Sequence, residues 1–397
     1  MYDVVIIGGG IAGIYAAYNI KKNSPTTTFL ILEKERKQKM GGRAGTEMFC
    51  GTEIVTGAGI GRRKKDVLLY RLLKELDMKT NEFIVEPKYS KTIKHISNIP
   101  KIMADLKKQY KKPQTFKKFA KSVLGPEEYD NFLLTSGYTD YENEDAHDVF
   151  TYYGMEDNST KYKAFHVAWK ELVTKLADAI GSEHFRFSSQ VAALSKTKSG
   201  TFQVFTGPGG AHYAAKKVII ATTISGIRLL LPDFPIYREI EGQPFLRLYG
   251  KFDKTSLNIV HSFVKGTTIV PGPLQKIIPM NAEKGVYMIA YSDNKNAEFL
   301  KPHLENTAQN RHFFCHIMEQ SLGIPKDTLK LLTMKSFYWD IGTHYFKPLE
   351  KYKTRAEFIE AAQHPIKDIW VVGEAVSFHQ GWTEGALESV EQVVRNI

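Results

Sequence analysis

Four consecutive apolar residues, Val4 to Ile7, stand almost at the start of the chain and run straight into Gly8, Gly10 and Gly13. Such a short, uninterrupted run predicts a strand buried on both faces of a parallel sheet, and the Ala- and Ile-rich stretch after the glycines predicts a helix. TTTFLILE (26–33) reads as a second strand. Within residues 53–78 the positions of Val67, Leu68, Leu72, Leu73 and Leu76 predict a helix packed on a core, and residues 80–178 read as mainly helical. Residues 184–206 read as strands around a turn at Lys198 to Gly200, residues 215–223 as another buried strand, and residues 236–358 as mixed strand and helix. Near the end, VVGEA (371–375) reads as a strand entering a turn, and a last helix is expected just after Trp382. The alternation of strand and helix predicts an α/β class with a second, α+β domain.

Composition adds little to this and removes several alternatives. With 397 residues, 43% hydrophobic and 24% charged, the chain has room for two ordinary globular domains. No apolar run approaches the roughly 18 residues of a membrane span. The first apolar run leads into glycines, unlike a secretory leader. Cys50 and Cys315 are the only cysteines, so neither a disulfide framework nor a Cys-rich metal site is implied. The chain reads as cytoplasmic, with no membrane anchor.

The formal charge is +11, and part of the excess lies in KKQYKKPQTFKKFAK (107–121), which holds seven lysines. The stretch reads as a solvated helix face rather than a surface for an anionic membrane, polyphosphate or nucleic acid, since no nucleic-acid motif accompanies it. H-E-x-x-H, G-x-S-x-G and G-x-x-x-x-G-K-[ST] are all missing from the sequence, leaving zinc enzymes, serine hydrolases and P-loop NTPases without support, and no metal site is assigned.

The glycines at the front carry the first chemistry. Gly8, Gly10 and Gly13 match G-x-G-x-x-G between a strand and a helix that begins at Ile11 and Ala12. Gly10 leaves room for a pyrophosphate to approach the backbone, and Gly13 lets helix and strand pack closely. The helix N-terminus offers free N–H groups to phosphates. Glu33, 20 residues after Gly13 and followed by Lys34, is placed to accept hydrogen bonds from an adenosine ribose. Two further clusters follow, Gly41-Gly42-Arg43 and Gly57-Ala58-Gly59-Ile60. Their spacing implies a long cofactor threaded past backbone, with Arg43 neutralising phosphate charge.

Three blocks together, GGGIAG…LILEKE, GGRAGT…TGAGIG and the C-terminal GEA…GWTEGA, resemble the flavin-containing amine oxidase family of monoamine and polyamine oxidases. The resemblance spans both termini. It implies a GG-doublet flavoprotein fold in which the FAD-binding domain is assembled from residues 1–79, 179–235 and 359–397. Residues 80–178 and 236–358 would then form the substrate domain. It further implies that the Val191 backbone meets the adenine and that Gly373 and Glu374 contact the ribityl and phosphate region. Thr383 and Ala386 would bring the last helix to the flavin ring.

Trp382 falls where the family places one aromatic wall of the substrate cage, and Trp339 where a tryptophan backs the flavin. The facing wall would come from His344 or Tyr345. Two departures stand out. Thr343 replaces the cysteine that bonds flavin covalently in some members, implying non-covalent FAD. His344 replaces a usual tyrosine, so a group able to exchange a proton, or simply a hydrogen-bonded structural histidine, stands there. The lysine that holds a water near flavin N5 is matched by Arg247, with Lys251 four residues on; an arginine is no proton acceptor and would alter oxygen reactivity or bind a substrate carboxylate.

The implied activity is oxidation of a small-molecule amine, docked between the aromatic walls, to an imine that water hydrolyses. Oxygen, as acceptor, would yield hydrogen peroxide. The competing expectations are a desaturase or isomerase of an apolar substrate on the same scaffold, or a flavin-binding protein with little turnover.

Overall fold

The computed structural model describes residues 1–207 and 209–394. A seven-stranded sheet gathers Tyr2–Ile7, Phe29–Leu32, Phe185–Arg186, Val191–Lys196, Phe202–Thr206, His212–Ile220 and Ile369–Val371 from widely separated parts of the chain. Tyr2–Ile7 lies between Phe29–Leu32 and His212–Ile220, parallel to both, and Ile369–Val371 adds in parallel beyond His212–Ile220. Both faces of the central strand are covered, as an unbroken apolar run requires. Val4 and Ile6 pack under the helices Ile11–Asn23, Trp169–Ile180 and Thr383–Val394. Val5 and Ile7 pack under Ile224–Leu230 and Arg355–Gln363.

A second sheet of six strands runs in the order Leu331–Phe346, Ile240–Phe252, Val286–Asp293, Lys276–Asn281, Thr268–Ile269, Lys88–Tyr89. Leu246, Leu248 and Ile289 on one face join the core under the helix Ala308–Leu322. Tyr249 and Met288 on the other face join Phe49 and Ile54 from the first quarter of the chain. That second contact closes the sheet over the glycine-rich segments. A helical layer (Ile99–Gln109, Phe116–Leu124, Pro126–Ser136, Ala146–Thr151) packs around Phe116, Phe132 and Tyr141.

Several expected elements moved. The strand within 26–33 is only Phe29–Leu32, because Thr28 is tied to Asp3 through backbone and side chain. The helix within 53–78 is Val67–Glu75. The strand expected at 371–375 ends at Val371, and Glu374 enters a single 3-10 turn. The 80–178 segment also contains the short strands Glu82–Val85, Lys88–Tyr89 and Tyr162–Phe165. In 107–121 the apolar Phe116, Phe119 and Ala120 face inward while Lys107, Lys108, Lys111, Lys112, Lys118 and Lys121 are exposed. No helix among the described residues is long and apolar enough to cross a membrane.

Candidate cofactor and active site

The first glycine turn is built for close approach. Gly8 has φ +112°, and a Cβ on Gly13 would stand 2.0 Å from Gly8 O, so only glycine lets Ile11–Asn23 sit this close to the strand. By contrast, nothing lies within 4 Å of a Cβ placed on Gly10. Gly41 N–H donates to Gly9 O (2.9 Å), bringing the second glycine pair beside this open space. Gly9 and Glu35 N–H both donate to the Glu33 carboxylate (2.6 and 2.7 Å), which fixes it at the strand end with lone pairs to spare. Ser189 N–H donates to Glu33 O (2.8 Å), so the strand beginning at Val191 lies next to that acid. Lys34 is exposed.

Arg43 links the front of the chain to its end. Its carbonyl accepts Ala58 N–H (2.7 Å) and stands where a Cβ on Gly57 would be, 2.4 Å away. Its Nη1 donates to Gly342 O (2.7 Å) and to Glu374 Oε1 (2.8 Å). Glu374 also accepts Gly381 N–H (2.9 Å) and a short bond from His344 Nδ1. Burial alone would raise the Glu374 carboxyl, but His344, Arg43 and the Gly381 N–H outweigh it and hold it well below the usual carboxylate range. Blocks at positions 8–13, 41–43, 57–60 and 373–381 therefore meet in one place.

His344 is buried, hydrogen-bonded at both ring nitrogens, and borders a cavity together with Thr343 and Gly381. It pairs with Gly242 while Thr343 pairs with Gln243, so strand alternation sends the two side chains to opposite faces. Its Nε2 accepts Ile224 N–H (3.1 Å), which leaves the ring proton on Nδ1 for Glu374. Tyr345 lies half-buried opposite Glu241. Neither ring contacts Trp382. Instead the Arg62 guanidinium lies 3.4 Å from the Trp382 ring centroid, held there by Asp66 (2.6 Å) and Asp157 (3.3 Å). On this side Trp382 is covered by a clamped cation–π stack.

Trp339 and Arg247 do reach the 57–60 turn. Trp339 Nε1–H donates to Thr56 O (2.8 Å), and Arg247 Nε–H donates to Gly57 O (2.7 Å). A Cβ on Gly59 would stand 2.9 Å from Arg247 Nη2, so this glycine makes room for the guanidinium. Half-buried Ile60 follows in the same turn. Lys251 instead donates to Lys284 O at an exposed position. Thr383 starts the last helix and Ala386 is buried in its first turns. Glu384 between them accepts Leu68 and Leu69 N–H (2.7 and 3.0 Å), capping Val67–Glu75 from the far end of the chain.

A group of ionisable residues went unnoticed in the sequence. Lys276 is 4% exposed, with Nζ 2.9 Å above the Tyr138 ring centroid. Burial pulls its ammonium well down, against the opposing pull of Asp293 and Asp140. Asp293 accepts Thr139 N–H (3.1 Å) and Gln275 Nε2–H (3.0 Å). Next to this group is a cavity lined by the polar Asp140, Glu144, Gln243, Thr343, His344 and Gln380, by the aromatic Tyr152, Tyr153 and Phe378, and by Gly381. Gln243 Oε1 and Gln380 Oε1 are buried with no hydrogen-bond donor among the described residues. Burial pushes the Glu144 carboxyl well up and, with help from Asp293, the Asp140 carboxyl to about 7. No local pattern announces such a group, whose lining residues run from Asp140 to Gly381.

The Asp140 shift gives a testable pH dependence. Its folded pKa is raised, so between about pH 4 and about pH 7 the folded state holds a proton that the unfolded chain has released, and stability falls as pH rises. The slope from one such group is at most about 1.4 kcal/mol per pH unit. Urea midpoints of the wild type are expected to fall across this window, and Asp140→Asn is expected to flatten the trend. An unchanged slope in the variant would refute the assignment.

A second sheet closes over the glycine-rich segments, and the open space at Gly10, the Gly41 approach and the Arg43 side chain fit a phosphate-bearing cofactor. Residues 6–76 match the NAD(P)-binding Rossmann-like domain family. An uncharacterised protein of Acanthamoeba polyphaga mimivirus is 20% identical over 479 aligned residues, covering 99% of this chain and 93% of its own.

Among solved structures, cyclohexylamine oxidase from Brevibacterium oxydans superposes with a TM-score of 0.77 at 15% identity, over 99% of this chain and 98% of the other. A redesigned putrescine oxidase gives 0.76 at 16%, over 100% and 98%, and the wild-type enzyme bound to putrescine gives 0.75 at 15%, over the same shares. The chain shares its fold with cyclohexylamine oxidase and putrescine oxidase. Among the described residues, no group of three or more His, Cys, Asp or Glu side chains is placed to hold a metal ion.

Proposed function

We propose that this protein is an oxidoreductase that binds FAD non-covalently and oxidises an amine, with oxygen as acceptor and hydrogen peroxide as product. The observation that carries the reading is the convergence of four sequence blocks, from both ends of the chain, on one open cradle faced by Arg247 and Trp339 of the second sheet. The five-part division of the chain into FAD-binding and substrate segments belongs to the same proposal. Thr343 offers no thiol, and its hydroxyl accepts Gln243 Nε2–H (3.1 Å), which supports a cofactor held without a covalent bond.

FAD, when bound, supplies the two-electron acceptor. The chain's own part is positioning. Arg43, kept in place by Glu374, would neutralise phosphate, and the His344–Glu374 contact keeps that carboxylate ionised. The cavity beside Thr343 and Gly381 is rich in hydrogen-bond acceptors, Asp140, Glu144 and the two unpaired amide oxygens, and so suits a donor-bearing amine. Tyr152, Tyr153 and Phe378 add an aromatic side to the same cavity, which suits the carbon body of such an amine. Anaerobic mixing with a panel of amines, diamines and amino acids tests the reading. The flavin absorbance is expected to bleach with at least one of them, and no bleaching across the panel would reject amine oxidation.

A further inference from the structure

Seven lysines lie between Lys107 and Lys121, and no Asp or Glu occurs from Leu106 to Pro126. Taken alone that stretch reads as a solvated helix face, and the fold changes its meaning by bringing its two halves together. Lys107 and Lys108 stand in the last turn of the helix Ile99–Gln109, and Lys111 and Lys112 in the connection after it. Lys118 and Lys121 share one face of Phe116–Leu124. Tyr110, at the end of the first helix, packs edge-on against Phe119 of the second (ring centroids 5.6 Å), and Phe150 meets both rings. The lysines flanking Tyr110 and those flanking Phe119 are thereby brought to one surface.

Acids do not neutralise that surface. Lys108 pairs with Asp105 (3.3 Å) and Lys117 with Glu142 (2.8 Å). Lys107, Lys111, Lys112, Lys118 and Lys121 are exposed and form no ion pair with a described residue. On the next helix, Pro126–Ser136, Glu128 accepts Ser97 Oγ–H and faces His95, while Glu127 and Asp130 are exposed and pair with none of the five. Like charges gathered in this way attract a polyanion, with a strength that depends on salt. Their surroundings select which polyanion. Leu106, Phe116 and Phe119 are buried, and no apolar side chain larger than Ala or Pro is exposed in residues 101–121. Nothing there can enter the acyl layer of a membrane, and a basic patch without an apolar anchor holds a membrane only weakly. Nor is an aromatic ring exposed on which unpaired bases could stack. The phosphate backbone of a duplex asks for lysines and nothing more.

We propose that this lysine surface binds duplex nucleic acid through its phosphates, without reading the base sequence. Such binding is independent of the flavin chemistry and puts a second, macromolecular ligand on the helical layer packed around Phe116, Phe132 and Tyr141.

Fluorescence anisotropy of labelled DNA and RNA duplexes, titrated with the full chain over a range of salt concentrations, provides the test. Binding at low salt is expected, with log affinity falling against log salt at a slope of about −4.5 for five phosphates, at about −0.9 each. The triple variant Lys111→Gln, Lys112→Gln, Lys118→Gln is expected to bind at least about 10-fold more weakly and to lose about 2.7 of that slope. A second triple, Lys351→Gln, Lys353→Gln, Lys367→Gln, removes the same charge from exposed positions elsewhere and is expected to bind like wild type. Melting temperature is recorded for each. Equal losses in the two triples would assign the binding to overall charge and overturn the proposal. No binding to either duplex would do the same, as would tighter binding to single strands of the same length. Vesicles containing phosphatidylserine form the last arm, and cosedimentation with them at salt that releases both duplexes would assign the surface to a membrane instead. Binding of one duplex and not the other upholds the proposal and names the nucleic acid. Should the first triple fail to fold, Lys111→Gln with Lys112→Gln carries the comparison, with a slope change of about 1.8.

Discussion

Glu374→Ala is expected to lower stability by about 3–5 kcal/mol, read as a large fall in the urea midpoint. Glu374 is 6% exposed and accepts from Arg43, His344 and Gly381, so one carboxylate ties the second glycine pair, the long strand Leu331–Phe346 and the C-terminal turn together. Removing it strands the Arg43 charge and leaves the His344 Nδ1 proton without an acceptor. Glu374→Gln keeps the volume and one acceptor oxygen, and its loss is expected to be smaller.

The pH behaviour separates charge from shape. Because the folded carboxyl is held well below its ordinary value of 4.5, its contribution is complete above that value and is lost as pH falls through the folded pKa. Wild type should therefore weaken in acid more steeply than Glu374→Gln. Parallel acid profiles for the two proteins would show that Glu374 acts by packing alone.

Gly10→Val is expected to leave the protein folded but nearly unable to hold flavin. Gly10 has φ −76°, a conformation any L residue adopts, and a Cβ there meets no protein atom within 4 Å. The space it would fill is the one a pyrophosphate needs. Flavin affinity should drop on the order of 100-fold, about 2.7 kcal/mol, while circular dichroism and melting of the apoprotein stay near wild type. Gly13→Ala should behave in the opposite way, because its Cβ would stand 2.0 Å from Gly8 O and push the helix off the strand, at a cost of about 1–3 kcal/mol. A Gly10→Val protein that purifies with full flavin content would remove the basis for placing the phosphates at this turn.

Reading the sequence succeeded where the physics is local. The strand, glycine turn and helix at 4–20 follow from an apolar run and three glycines, each answerable to its immediate neighbours. Arg247 was singled out by its position in PFLRLYGKFD, and it does reach the glycine turn at 57–59. Of the two readings open for His344, a hydrogen-bonded histidine is what the fold builds, with Nδ1 on Glu374 and Nε2 accepting Ile224 N–H, and strand geometry explains why its surroundings differ from those of Thr343. Successive residues of a strand point to opposite faces, and Thr343 opposes Gln243 while His344 opposes Gly242. Between the pairs Gln243–Thr343 and Phe245–Trp339 one strand advances two residues and the other four, an irregularity that no count along 337–346 reveals.

By itself the sequence determined that a dinucleotide cradle of backbone and glycine would form at the front of the chain, because apolar periodicity and the absence of side chains act over a few residues. Only the tertiary structure decided which charges would be enclosed with it. Arg62 came to lie on Trp382, Glu374 between Arg43 and His344, and Lys276 near Asp140 and Asp293. Those partners are separated by tens to hundreds of residues, and their meeting follows from how the two sheets close on each other. A buried charge is set by whatever surrounds it in space, and the linear order of the chain does not encode that surrounding until the fold is complete.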